Sequence, residues 1–120
     1  MKPETLVANI MLRVMERLRK VDPRMEAQAI VSLCIIATQP DITVSELGKK
    51  LNITIAGVSR NVTKLCDVGK GLGFIVRYED PVDRRHKRVR LTRKGEQLFT
   101  DLGEDVQKLL PEIQKYKEGA

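Results

Sequence analysis

The stretch ITVSELGKKLNITIAGVSRNVTKL (residues 42–65) constrains this chain more than any other. Thr43 and Glu46 form a capping box, T-x-x-E. The Thr43 hydroxyl can accept from the Glu46 amide while the Glu46 carboxylate reaches back to the Thr43 amide. Ile42 before the cap and Leu47 inside the helix supply the hydrophobic staple that accompanies such a start. The helix runs to about Leu51, with Leu47 and Leu51 inward. Asn52 tolerates the left-handed conformation and turns the chain, and Thr54 caps the next helix. There Val58, Val62 and Leu65 share one face, with Ile55 at its edge. Ala56, Arg60, Thr63 and Asp67 point the opposite way, flanked by Ser59. That outer face is small and hydrogen-bonding, with one Arg, which suits close approach to base edges where bulk would clash. An ordinary solvated face has the same composition, so the helix alone leaves both readings open.

The residues after the helix pair narrow the choice. Gly69, Gly71 and Gly73 are expected to make a flexible connection. They do not form a phosphate-binding loop, because no strand precedes them and no helix comes after. GFIVRYED then alternates and is rich in strand formers, Asp80-Pro81 opens a loop, and Arg88-Val89-Arg90-Leu91 alternates back as a return strand. Seven Lys and Arg, with no acid among them, lie from position 84 to position 94. A segment so cationic does not close-pack against itself. With a formal net charge of +6 and a pI near 9.5, it favours a polyanionic partner, nucleic acid before membrane. A helix pair leading into a basic hairpin is the layout of a winged helix-turn-helix.

The remaining segments frame that unit. Pro3 and Glu4 suit a first helical turn, and Leu6, Val7, Ile10, Met11, Val14 and Leu18 keep helical spacing to about Lys20. Asp22-Pro23 reads as a cap and a first-turn proline, so a second helix is expected to start there. Residues 27–37 (AQAIVSLCIIA) are apolar almost all round, which marks a central helix buried on several sides. A short strand is expected at Ile42. Thr92 caps a last helix carrying Leu98, Phe99, Leu102, Val106, Leu109 and Ile113, and Pro111 should kink or split it. The expected fold is mainly α with a β-hairpin, as one domain of 120 residues. Its helix-turn-helix lies at about 43–68, its wing at about 74–91, and its terminal helices at about 3–20 and 93–118. The stripes Leu6/Ile10/Val14 and Phe99/Leu102/Val106/Leu109/Ile113 exceed what one such chain can cover, so the terminal helices are expected to serve dimerisation across a twofold axis.

Several function classes are disfavoured. No apolar run reaches membrane-spanning length and the N-terminal segment carries charges throughout, so a cytoplasmic address is expected. Cys34 and Cys66 lack metal-ligand spacing and read as small buried hydrophobes. With a single His, a His/Cys metal cluster is disfavoured and no metal is expected. Neither a Ser/His/Asp set nor a carboxylate pair in a plausible cleft is visible, so neither an enzyme nor a cofactor is expected. With no Trp and only four Phe plus Tyr, a base-stacking platform for single strands is also unsupported.

The residues carry a family likeness. Asp83-x-Arg85-x5-Leu91-Thr92-x-x-Gly95 matches the wing signature DxRxxxxxLTxxG of the MarR-type winged-helix transcription regulators. VSELGKKLNIT and Val58-Ser59-Arg60-x-Val62-x-x-Leu65 resemble that family's two DNA-binding helices. The likeness spans roughly 42–99. One departure is the connection CDVGKGLGF, longer than the family's usual Leu-x-x-x-Gly. The resemblance implies a homodimeric, sequence-specific regulator, a repressor in the leading reading, that occupies a pseudopalindromic operator on double-stranded DNA. It further implies a small-molecule inducer of unspecified identity, or control by thiol oxidation if Cys66 lies at the surface. Carried over by position, Ser59-Arg60 resembles the family's recognition-helix pair and Arg85 its wing arginine; with the outward face of the helix and the basic run, the DNA-binding candidates are Thr54, Ala56, Ser59, Arg60, Thr63 and Lys64 on the recognition helix. Arg84, Arg85, Lys87 and Arg88 join them on the wing, with Asp83 orienting Arg85. Thr43, Ser45, Lys49 and Lys50 are further candidates for phosphate contact, although Thr43 also reads as a cap alone. Two rivals keep the fold: a winged-helix protein-interaction module without DNA binding, and a plasmid or phage replication or partition protein.

Overall fold

The helix pair forms where its caps require. In the computed structural model, which describes residues 2–119, the Thr43 hydroxyl accepts from the Glu46 amide at 3.0 Å. The Thr54 hydroxyl accepts from the Gly57 amide at the same distance. Asn52 between them is left-handed, at φ 55° and ψ 47°, and there its short polar side chain carries little steric penalty. The elements run in the order α1 (Pro3–Val21), α2 (Ala27–Thr38), β1 (Ile42–Thr43), α3 (Val44–Leu51), α4 (Ile55–Leu65), β2 (Ile75–Glu79), β3 (Lys87–Leu91), α5 (Arg93–Gln107) and α6 (Leu110–Gly119). This is the mainly helical, winged architecture expected from the sequence. Residues 26–97 form one compact unit, and α1 with the chain from Leu98 onward forms another.

In the first unit three antiparallel strands lie in the order β1-β3-β2. The short strand anticipated at Ile42 pairs with the return strand of the hairpin, Ile42 opposite Val89 and Thr43 opposite Arg88. Ile75 lies opposite Leu91 and Glu79 opposite Lys87. Alternation puts Ile42, Ile75 and Val89 into the core with Leu33, Ile36, Leu47, Val58, Val62, Leu65 and Phe74, all buried. Gly48 sits where α3 and α4 come close: a Cβ there would lie 3.3 Å from Val58 Cγ1, a tight contact.

Three expectations are corrected in this unit. First, α2 is not buried on several sides. Ala29, Ser32, Leu33 and Ile36 face the core, while Val31 is 47% exposed and Cys34 is exposed. Second, the glycine-rich connection is a folded cap. The amides of Leu72, Gly73 and Phe74 donate to the carbonyls of Lys64, Cys66 and Leu65 at 2.8, 2.9 and 2.9 Å. They thereby satisfy the acceptors that the last turn of α4 leaves open. Third, Cys34 is not a buried hydrophobe; Cys66 is, with its thiol pKa raised chiefly by burial.

In the second unit α1 packs on α6, and Leu6, Leu18, Leu98, Leu102 and Leu109 are buried. Arg17 forks onto Asp105, Nε to Oδ2 at 2.6 Å and Nη2 to Oδ1 at 2.9 Å. That hydrogen-bonded pairing holds the Asp105 carboxyl below its ordinary range. The last helix splits as expected: α5 ends at Gln107 and α6 begins at Leu110. Pro111 thus falls in a first turn, where its missing amide leaves no acceptor unpaired. Asp22 is a further correction, because it ends α1 rather than starting α2. Its amide donates to Leu18 O at 3.0 Å, its backbone is extended, and its carboxylate accepts from Arg24 N at 2.9 Å. Pro23 disfavours the helical conformation at the residue before it, so α2 waits until Ala27.

Candidate nucleic-acid interface

The outer face of α4 is open. Thr54, Ala56, Arg60, Thr63 and Lys64 are exposed and Ser59 is half-buried, while Val58, Val62 and Leu65 hold the helix to the core. At its C-terminal end the Lys64 ammonium lies 3.2 Å from the Glu26 carboxylate, both well exposed. Such a surface pair contributes little to stability and can open for another anion. Of the further phosphate candidates, Ser45, Lys49 and Lys50 on α3 are exposed, whereas Thr43 is buried and serves as the cap alone. Ile55 departs from its expected place at the core edge, for it is 83% exposed. Asn61 was not singled out by the sequence, yet it is buried and its Nδ2 has no partner.

The wing is built around an acid that the sequence suggested only as a loop opener. Asp80 is buried and its carboxylate accepts from Val82 N at 2.8 Å, Asp83 N at 3.2 Å and Arg88 Nε at 2.7 Å. The backbone hydrogen bond from Val82, then the Arg88 guanidinium, pull its pKa down to about 2. The signal was present in the sequence, since an Asp can fold its own backbone two residues on into an Asx-turn. Arg88, expected among the DNA contacts, also has partners within the chain, and its side chain remains 32% exposed. Its Nε is held by Asp80 and its Nη1 donates to Asp41 O at 2.7 Å. It locks the hairpin to the chain segment before β1, and two of its donor directions are spent there.

At the tip, Asp83 accepts from Arg85 three times: backbone N at 3.1 Å, Nε at 3.0 Å and Nη2 at 3.0 Å. Asp83 sits with its pKa lowered, mainly by the Arg85 side chain. The Arg85 side chain is 88% exposed, so the acid sets its direction without burying it. His86 Nε2 lies 3.4 Å from the same carboxylate, and Arg84 is exposed beside it. Lys87 is exposed and pairs across the strands with Glu79 at 2.7 Å. Arg90 stacks over the Tyr78 ring, 4.8 Å from its centroid, a cation–π contact. The Tyr78 hydroxyl donates to Asp41.

The structure therefore gathers the small, polar face of α4, the lysines of α3 and the wing-tip arginines onto one unit. Among the described residues, no group of three or more His, Cys, Asp and Glu could hold a metal ion. No helix among them is long and apolar enough to cross a membrane.

Solved structures share this fold. RV1404 from Mycobacterium tuberculosis superposes with a TM-score of 0.73 at 17% identity, over 96% of this chain and 81% of that one. FabT from Streptococcus pneumoniae, solved in complex with DNA, gives 0.65 at 25% identity over 97% and 78%. A MepR–DNA complex from S. aureus gives 0.68 at 20% identity over 96% and 92%. No curated protein matches the chain by sequence. The profile of the MarR family matches residues 25–87, more than half of the chain and the whole of the helix pair. The chain belongs to the MarR family.

Proposed function

We propose that this protein is a sequence-specific double-stranded DNA-binding transcriptional regulator, a repressor that occupies a pseudopalindromic operator as a homodimer. The observation that carries the proposal is the open face of α4, where Ala56, Ser59, Thr63 and the Arg60 guanidinium stand clear of the core. The small side chains Ala56, Ser59 and Thr63 let the backbone come close to base edges, and Arg is the side chain that reads guanine most often in the major groove. Thr54 and Lys64 at the ends of the helix, with Arg84, Arg85 and Lys87 on the wing, then meet phosphates or the minor groove. Asp83 aims Arg85. Arg88 belongs to the wing's frame. The solved DNA complexes of FabT and MepR support the same use of the fold.

Homodimer formation rests on α1, where Val7, Met11 and Leu12 are 53%, 60% and 57% exposed. So much apolar surface on one helix is costly in water and is covered by a second copy. Two α4 helices about one helical turn (~34 Å) apart would then enter successive major grooves. Light scattering tests the state: a monomer at micromolar concentration refutes the dimer.

A gel shift with genomic fragments tests the whole proposal. A retarded fragment whose affinity falls steeply with salt is expected, about 0.9 in log–log slope for each phosphate neutralised. No retarded fragment at low salt refutes it and favours a protein-interaction module. Within the site, Arg60→Ala should relax base preference by about 1–3 kcal/mol, while Lys87→Ala should weaken operator and random DNA alike. Equal losses on both DNAs for both variants would end that division of labour.

A further inference from the structure

We infer that Ile55 is a specificity-determining residue that selects thymine through its C5-methyl group; the inference rests on the DNA-binding function already proposed. Ile55 is the first residue of α4 and is 83% exposed. A lone apolar side chain at a surface ordinarily needs no explanation, but the place and company of this one are specific. It lies one residue past the Thr54 cap, at the end of a recognition helix whose first residues are the ones that reach base edges. It also forms part of the wall of a groove of roughly 360 Å³ between α3 and α4, with Ser45, Lys49, Asn52 and Ile53. Lys49 and the exposed lysine beside it supply the positive charge that a duplex needs at such a wall.

The chemistry of the partner comes from the mismatch between Ile55 and its neighbours. Ala56, Ser59 and Thr63 are small or polar, and one β-branched aliphatic side chain projects among them. Along the major-groove edges of the bases, the thymine C5-methyl is the one projecting apolar group; the rest are hydrogen-bond donors and acceptors with flat ring C–H edges such as cytosine C5–H between them. An isoleucine facing any other base edge would strip water from a polar group and give nothing back. Facing the methyl, it buries apolar area on both partners. Its χ1 is already stiff, so little rotamer freedom is lost on contact. Exposure in the free protein also means that Ile55 does no work in the core, which is held by Val58, Val62 and Leu65.

The test uses the full chain and a duplex enriched by the wild-type protein from a random-sequence library. Each thymine of that duplex is replaced in turn by uracil, which removes the methyl and leaves base pairing unchanged. Wild type should lose about fourfold in affinity at one thymine position per half-site, the factor expected for one methyl-sized group. Ile55→Ala, which removes the contact in both half-sites, should lose about sixteenfold on the thymine duplex, about fourfold for each, and be indifferent to the uracil exchange at that position. Its thermal unfolding should match wild type, which separates a lost contact from a lost fold. If Ile55→Ala keeps the full thymine-over-uracil preference at every position, or binds the thymine duplex as tightly as wild type, the inference is overturned while DNA binding stands. If no duplex is enriched at all, the DNA-binding proposal falls and takes this one with it.

Discussion

Gly71→Ala is the sharpest perturbation of the connection between the recognition helix and the wing. The added methyl would overlap the Cys66 carbonyl oxygen and lie 3.0 Å from the Thr63 carbonyl oxygen. Both are backbone atoms at the end of α4, so no flexible side chain can swing away. Relief requires the segment around residue 71 to move off the helix end. That movement strains the three hydrogen bonds from the Leu72, Gly73 and Phe74 amides to Lys64, Cys66 and Leu65. At about 1 kcal/mol net each, losing two or three of them costs about 2–3 kcal/mol. Two other glycines serve as controls. Gly69 has open space around its missing Cβ but a φ of +58°, so Gly69→Ala should cost about 1–2 kcal/mol from backbone conformation alone. Gly103 lies within α5 with open space around it, so Gly103→Ala should stabilise by about 0.5–1 kcal/mol. Urea unfolding of the three variants beside wild type measures the differences, provided the slopes agree. A Gly71→Ala protein as stable as wild type would show that the connection does not cap α4. The same variant, assayed well below its unfolding midpoint, should also bind DNA more weakly, because Phe74 and β2 hang from the displaced segment.

Three further outcomes are expected. Leu47→Ala removes a fully buried side chain from the contact of α3 with the core and should cost about 2–5 kcal/mol by thermal or urea unfolding; a loss below about 1 kcal/mol would contradict its burial. Asp80 has a lowered folded pKa, so its contribution to stability is fully present above the ordinary value of 3.8 and is lost as pH falls through about 2; a carboxyl resonance titrating near 3.8 would show that the Val82 and Arg88 hydrogen bonds are not formed. With Cys34 exposed and Cys66 buried, a thiol reagent should modify Cys34 in the native protein and reach Cys66 only on unfolding, and mass spectrometry of the peptides gives the answer directly.

Much of this protein was determined by its sequence because the deciding interactions are local. The Thr43 and Thr54 caps, the left-handed Asn52, the alternation of the hairpin and the break at Pro111 each depend on residues within a turn of one another. Periodicity alone assigned Val58, Val62 and Leu65 to the core. The pairing of Asp83 with Arg85 was also legible, being two residues apart. Tertiary structure decided what depends on approach between distant segments. Arg88 looks like any other cation of the basic run until the fold brings the Asp41 carbonyl and the Asp80 carboxylate to it. The glycines after α4 read as flexibility until the carbonyls at the helix end are seen to need donors. Burial is likewise a property of neighbours: Ile55 and Val31 are as apolar as Val58, yet no element of the described chain covers them. The capping box and basic hairpin named the architecture, but only packing separated the cations that build the wing from those left facing solvent.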